Sequence, residues 1–222
     1  MSLINNFIII EYIYVGDDMY KISPLYYGYS SLEPYIDTHT MGLHYNKHYR
    51  NYLNNLNRLL IKNNYDFSYP IEQLHLHLNM FNGSDIEDIL FNLGGVLNHE
   101  HYFRIIAPNK NKSDNLPLLG VINQKFGSYD NFKEEFRKCA KSLKGSGYTS
   151  LVMNDNNEIF IMNTQNQDSP IFYNLIPLII IDMWEHAYYI NYENDKDKYI
   201  DAFFDILNLD EANNLFEFSY RR

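Results

Sequence analysis

At 222 residues and 26.5 kDa, with 45% hydrophobic and 21% charged residues, the chain can bury a sizeable core and falls outside the disordered and fibrous classes. A formal net charge of −10 and a pI near 5.2 argue against nucleic acid as a partner, because no basic stripe is available to repay phosphate contacts. The single cysteine, Cys139, excludes an internal disulfide framework, fits a reducing compartment, and reads as a free thiol on a helix.

The first apolar run, Phe7 to Val15, is interrupted by Glu11 and preceded by no positive charge. It is too short to span a bilayer and wrongly flanked for a secretory signal, and it lacks the Arg-rich character of a transit peptide. Residues 1–18 are therefore expected to be an N-terminal extension, with the folded chain starting near Met19 and no membrane as partner. From Thr40 to Lys62 apolar and aromatic residues recur at helical spacing, predicting one long helix. "DIEDILFNLGGVLNHEHYFRIIAP" resumes that pattern until Pro108 ends it, so the two helices should form a hairpin. Asn109 to Asn115, "NKNKSDN", is polar and turn-rich and is the candidate linker. After it the character changes. Asn131 to Leu143 predicts a helix, "TSLVMN" and "EIFIMN" around Asp155-Asn156 predict a β-hairpin, "LIPLIIID" predicts a buried strand, and a helix is expected from Trp184 onward.

Three places carry candidate chemistry. "LHYNKHYRNY" puts His44, His48 and Tyr52 at i, i+4 and i+8, sharing one helix face with a drift of about forty degrees per step. On the second helix His99 and His101 lie two residues apart and cannot face the same interior, so one of them should matter. In "DMWEHAYY" Asp182 leaves an apolar strand and His186 falls in the turn or helix that follows. A carboxylate emerging from a hydrophobic run is expensive to bury unless it is paired or coordinates a metal, although capping "WEHAYY" would also account for it. Three imidazoles and one carboxylate from three elements suit iron, manganese or zinc, and the lack of thiolates speaks against a structural zinc or an iron–sulfur cluster. His75 and His77 in "LHLHL" read instead as the exposed face of a short amphipathic segment.

At these residues the sequence resembles the iron/manganese superoxide dismutase family. "DMWEHAYY" matches its C-terminal metal signature, and "YYGYSSLEPYID", "MGLHYNKHYRNYLNNLN", "FNLGGVLNHEHYF" and "GSGYTSLVM" with "NTQNQDSP" match its other landmarks in order, from about Met19 to the C-terminus. Together with the elements above, the resemblance implies an α+β fold: an antiparallel helical hairpin over residues 19–107, then a C-terminal α/β domain over 117–222 with a three-stranded antiparallel sheet. It implies His44, His99, Asp182 and His186 as ligands of one manganese ion per chain, with iron as the alternative. His48 and Tyr52 would form the substrate gateway, Trp184 would wall the cavity, and Gln167 would approach the site from the sheet. It further implies a superoxide dismutase assembled as a homodimer, or a tetramer, with Glu185 reaching the partner's His186 and Tyr189 the partner's His48.

The resemblance favours manganese because the iron-type Gln position, four residues before His99, is Gly95, while the manganese-type position holds Gln167. Tyr148, Ser150 and Phe103 stand where the family usually has Trp, and Lys196 where it often has Arg. Lys47 and Lys196 would supply a local positive field for an anion. The expected compartment is the cytosol, with the mitochondrial matrix as alternative. Two other readings are a zinc-type metallohydrolase, for which no HExxH or adjacent general base is seen, and a non-catalytic helical interaction protein whose His residues fill the core.

Overall fold

The computed structural model describes residues 19–108 and 115–220. The calls on residues 1–18 and on most of the linker lie outside them. The chain forms α1 (Thr38–Leu43), a π-helical turn (His44–Tyr49), α2 (Arg50–Lys62), a 3-10 segment (Ile71–Met80) and α3 (Ile86–Ile105). There follow α4 (Pro117–Phe126), α5 (Tyr129–Ser142), strands β1 (Gly147–Met153), β2 (Ile159–Gln165) and β3 (Ile176–Asp182), and helices α6 (Tyr189–Tyr192), α7 (Lys196–Ile206) and α8 (Leu209–Tyr220). This is the α+β architecture expected, a helical first part and a second part of helices around an antiparallel sheet.

The first long helix begins at an Asp37 cap, whose Oδ1 accepts from the Thr40 N–H at 2.6 Å. It runs to Lys62 as expected, but between His44 and Tyr49 it widens into a π turn, a feature often found at functional sites and invisible to a 3.6-residue period. Beyond that turn Leu53, Leu56 and Leu60 bury a stripe of α2 against α3. α3 is buried on nearly all sides, including Ile89, Leu93, Val96 and Leu97, because α2 and β3 both pack on it.

The sheet order is β2-β1-β3, antiparallel throughout, so the predicted hairpin and strand form one three-stranded sheet. The hairpin turn is built by Asn154, whose side-chain oxygen accepts from the Asn156 and Glu158 N–H groups, and by Asn157 in the left-handed region that Asn tolerates. β1 is central and buried at every position. Its register places Tyr148 opposite Thr164 on one side and Asp182 on the other. Directly opposed residues share a face, so the Tyr148 and Asp182 side chains emerge together.

The two parts are stitched where α3 ends. Ala107 N–H donates to Ile206 and Asn208 N–H to Ile105, while Arg104 Nε meets Glu211 Oε1 at 2.5 Å.

Two expectations need correction. The chain after Trp184 is not one helix: it makes a 3-10 turn (Glu185–Ala187), the short α6, and then α7, which Asp195 caps through the Lys198 N–H. Nor are His75 and His77 an exposed face. His75 sits 5.6 Å from the Phe172 ring and His77 stacks on Tyr69 at 3.7 Å, because the 3-10 segment turns its histidines inward and exposes Leu76 instead.

Glu72 of that segment is buried, and one carboxylate oxygen has no hydrogen-bond partner among the described residues. Burial, reinforced by the charge of Glu100, pushes its carboxyl up from 4.5 to about 7. The folded protein thus holds a proton in that window which the unfolded chain releases, so stability falls as pH rises through it and the loss is complete above it. Glu72→Gln should remove the loss. Urea unfolding is expected to show the variant more stable by up to about 3 kcal/mol in mildly alkaline buffer and no gain in acid below the window.

Candidate metal centre

His44 lies at the start of the π turn, His99 in the middle of α3, Asp182 at the last position of β3 and His186 in the 3-10 turn just beyond. One nitrogen or oxygen from each lies within 4.8 Å of all the others. The Nε2 atoms of His44, His186 and His99 stand 3.1, 3.3 and 3.7 Å from the same Asp182 oxygen, Oδ2. Asp182 and His99 are wholly buried, His44 nearly so, and His186 keeps 13% of its side chain in contact with solvent.

The other Asp182 oxygen, Oδ1, accepts the Trp184 N–H at 2.8 Å. Capping and convergence therefore coexist, one on each oxygen. Tyr199 fixes the backbone behind it by donating to the Asp182 carbonyl at 2.8 Å.

The tautomer of His99 follows from its partners. Nδ1 lies 2.7 Å from the Gly95 carbonyl, which can only accept, so Nδ1 carries the proton and Nε2 turns a lone pair inward. Among the described residues that Nε2 has no hydrogen-bond partner, and neither does His186 Nε2. Burial lowers the His44 imidazole and holds that of His99 well below the usual range, which favours the neutral form of both. Burial works to raise the Asp182 carboxyl, yet His186 and His44 outweigh it and keep it ionised, far below the usual carboxylate range.

Inward lone pairs around an ionised, dry carboxylate leave one charge unmatched. A divalent or trivalent first-row cation with nitrogen and oxygen ligands fits that arrangement, and the backbone acceptor behind His99 is the orienting partner that metal-binding imidazoles ordinarily have.

A second layer lines the approach. Tyr52 OH accepts from Gln167 Nε2 at 2.9 Å, and Gln167 Oε1 accepts from Tyr148 OH at 2.9 Å. His48 stacks on His186 with ring centroids 3.9 Å apart, and Trp184 also stacks on His186, at 5.6 Å. Trp184 is itself held by donation from Nε1 to the Asn166 carbonyl. Phe103 lies 4.9 Å from His44 and closes the wall, whereas Ser150 is buried with its hydroxyl unpartnered among the described residues.

His101, two residues from His99, turns away as expected, toward the Leu178 backbone, and burial lowers its imidazole to about 3. Lys47 is exposed and Lys196 half-buried at the start of α7, while Glu185 and Tyr189 are exposed.

Sequence reasoning passed over Asn98 and Gly94. Asn98 Nδ2 donates to the carbonyls of Gln167 and Asp168, at 3.3 and 3.1 Å, and ties that loop to α3. A Cβ on Gly94 would fall 1.8 Å from the Gln167 carbonyl oxygen, so only glycine permits the approach. A glycine pair inside a helical pattern was the available signal.

Gly95 has a comparable role one residue on. A Cβ there would lie 2.4 Å from Tyr52 Cγ, so no side chain can reach into the site from this position while Tyr52 stays. Gly95→Ala should push Tyr52 aside and cost about 1–3 kcal/mol. Gly120→Ala, where a Cβ meets nothing, should be neutral or stabilising by less than about 1 kcal/mol; thermal unfolding of both variants checks the contrast.

Comparison with known proteins agrees with this geometry. Residues 19–107 match the model of the iron/manganese superoxide dismutases, alpha-hairpin domain, and residues 114–215 that of the C-terminal domain. The chain is 38% identical over 199 residues to a manganese superoxide dismutase of Listeria innocua, covering 89% of this chain and 98% of the relative. It is 35% identical over 198 residues, with the same coverage, to a manganese/iron superoxide dismutase of Methylomonas sp. strain J.

Proposed function

The chain belongs to the iron/manganese superoxide dismutase family, and from that membership we propose how its own residues carry out the dismutation of superoxide to oxygen and hydrogen peroxide. The observation that carries the reading is the convergence of His44, His99, Asp182 and His186, with their ligand atoms within 4.8 Å of one another. These four would hold one manganese ion, with iron as the alternative. Once bound there, the ion supplies the one-electron couple that takes an electron from one superoxide and returns it to a second.

The remaining work falls to the protein. Asp182 contributes the negative charge that offsets a cation in a dry pocket, and the imidazoles contribute nitrogen lone pairs. Tyr52, whose phenol is pushed up to about 12 chiefly by burial, stays protonated at neutral pH and can give a proton to reduced substrate. His48, lowered to about 4 by burial and then by His186, stays neutral and can relay protons from outside without competing with the ion for charge. Gln167 holds Tyr52 in place, and Trp184 excludes water from the site.

Lys47 and Lys196 supply a local positive field on a chain of net charge −10, which an anionic substrate needs. The preference for manganese is supported by Gly95, which leaves the approach on that side to Tyr52 and the amide to Gln167. We read residues 19–107 and 117–222 as the two functional units, since each contributes two of the four metal-facing side chains. We also read the exposed Glu185 and Tyr189, with His48, as the contact to a second copy in a homodimer. Among the described residues no helix is long and apolar enough to cross a membrane, and the half-buried thiol of Cys139 supports a reducing compartment such as the cytosol.

The test is metal analysis of the purified protein together with superoxide turnover by samples reconstituted with manganese or iron. Manganese-loaded protein should dismute superoxide, iron-loaded protein less well, and Asp182→Ala should lose the metal. Full metal content with no turnover in either sample would defeat the reading. His48→Ala should reduce turnover and weaken dimerisation in analytical ultracentrifugation; an unchanged dimer with full turnover would remove His48 from both roles.

A further inference from the structure

Ser23 lies on the strap that crosses the helical part before α1, and its polar groups are bonded to the two segments that carry His44 and His99. Its hydroxyl donates to Glu100 Oε1 at 2.6 Å, its backbone N–H donates to the Tyr49 hydroxyl oxygen at 3.2 Å, and its carbonyl accepts from Tyr45 OH at 2.6 Å. Tyr45 follows His44 and Tyr49 follows His48 in the π turn, while Glu100 follows His99 in α3. Successive residues of a helix point about 100° apart, so the neighbour of a metal-facing histidine looks away from the metal. A single strap residue thus meets the neighbours of three histidines of the site.

Glu100, Tyr45 and Tyr49 are all buried. A hydroxyl 2.6 Å from a buried carboxylate oxygen makes a charge-assisted bond, roughly twice as strong as a neutral one. The Tyr49 ring lies parallel to that of His99 with centroids 6.1 Å apart, and Tyr45 packs on Phe103 at 5.4 Å, which in turn lies 4.9 Å from His44. Where Ser23 holds the two phenol oxygens therefore affects how the rings behind His99 and His44 sit. The π turn is the part of the first helix most in need of an outside brace, since its i→i+5 spacing seldom persists beyond one turn. The strap has other fastenings. Tyr20 pairs its N–H and C=O with the Asn57 side chain at 3.2 and 2.9 Å and donates its hydroxyl to the Tyr69 carbonyl at 2.7 Å, and Tyr27 OH donates to the Phe103 carbonyl at 3.0 Å. What the Ser23 hydroxyl adds is a tie between the π turn and α3.

We propose that Ser23 is a positioning residue of the metal centre: its backbone grips the π turn, its hydroxyl grips α3, and the tie keeps His44 and His99 at the spacing an ion needs. Those two rings stand 4.9 Å apart. The inference rests on the metal-binding part of the proposed function and deepens it. Without the hydroxyl the buried Glu100 carboxylate loses a donor, α3 turns more freely against the π turn, and the two imidazoles hold a shared ion less firmly.

The experiment compares the manganese-loaded parent with Ser23→Ala, Ser23→Thr, Glu100→Ala, the Ser23→Ala/Glu100→Ala double variant and Tyr20→Phe. For each, the melting temperature and the rate of manganese release to excess chelator are measured. With the proposal correct, Ser23→Ala folds and releases manganese about tenfold faster, the size expected on losing one hydrogen bond to a buried charge. Ser23→Thr, which keeps the hydroxyl, releases it as the parent does. In the Glu100→Ala background the Ser23 substitution changes the rate no further. Tyr20→Phe, which removes a strap bond away from the metal-bearing segments, lowers the melting temperature and leaves the release rate unchanged. Parent-like release from Ser23→Ala would overturn the proposal, as would equally fast release from Tyr20→Phe or an effect that adds in full to that of Glu100→Ala. A parent that keeps its manganese without turning over superoxide would defeat the dismutase reading, and the release rates would still decide the role of Ser23. A parent that retains no manganese would overturn both.

Discussion

Asp182 ends β3 with its carboxylate entirely out of water, and a lone ionised carboxylate in such a place costs several kcal/mol. The fold deals with that cost by giving the two oxygens different surroundings. Oδ1 takes the Trp184 N–H, and Oδ2 is ringed by three Nε2 atoms at 3.1 to 3.7 Å. Because His99 spends its only proton on the Gly95 carbonyl, at most two of the three nitrogens can offer Oδ2 a proton, and a neutral imidazole offers it no full positive charge. The uncompensated charge is the physical reason the pocket calls for a cation, and the π turn, α3 and the turn after β3 each bring one imidazole to that oxygen.

Neither half of the chain contains this arrangement by itself. The helical part brings His44 and His99, the sheet part brings Asp182 and His186, and the seam between them is closed by the Ile106–Leu207 bridge and the Arg104–Glu211 pair. Buried polar groups that face one another across such a seam are costly if docking is imperfect, so the site itself specifies how the two parts sit. Asn98 is placed for the same purpose. One residue before His99, it reaches across to the Gln167 loop, so a single turn of α3 sets both a metal-facing imidazole and the amide that approaches it.

Much of this could be read from the residues, and the exceptions have physical causes. The long helices announced themselves by periodicity, the hairpin by alternation around an Asn-rich turn, and Asp182 by being a charge at the end of an apolar run. His44, His99, Asp182 and His186 are all legible as candidates in the sequence. The π turn was not legible, since one extra residue per turn leaves no compositional trace; the helix after Trp184 was misjudged because an aromatic, charged stretch can satisfy its backbone by short turns as well as by one helix. His75 and His77 were misplaced because alternation predicts faces but not which face a 3-10 segment turns toward its neighbours. Tyr148 was visible only as a departure from a pattern. Its hydrogen bonds run to residues 49 positions earlier and 19 later, on α3 and just beyond β2, which the chain order alone does not bring together.

The residues that line the approach share one property, which is that they do not change charge near neutral pH. Burial lowers His48 to about 4, raises Tyr52 to about 12 and holds Tyr148 well above the usual phenol range. An acidic protein that admits an anion gains from this, because a lining that ionised on its own would alter the field each time substrate arrived. The same neutral groups are linked by hydrogen bonds, from Tyr148 to the Gln167 amide and from that amide to the oxygen of Tyr52. Hydrogen bonds between neutral groups hold the lining in place without adding a charge to the field that an anion meets.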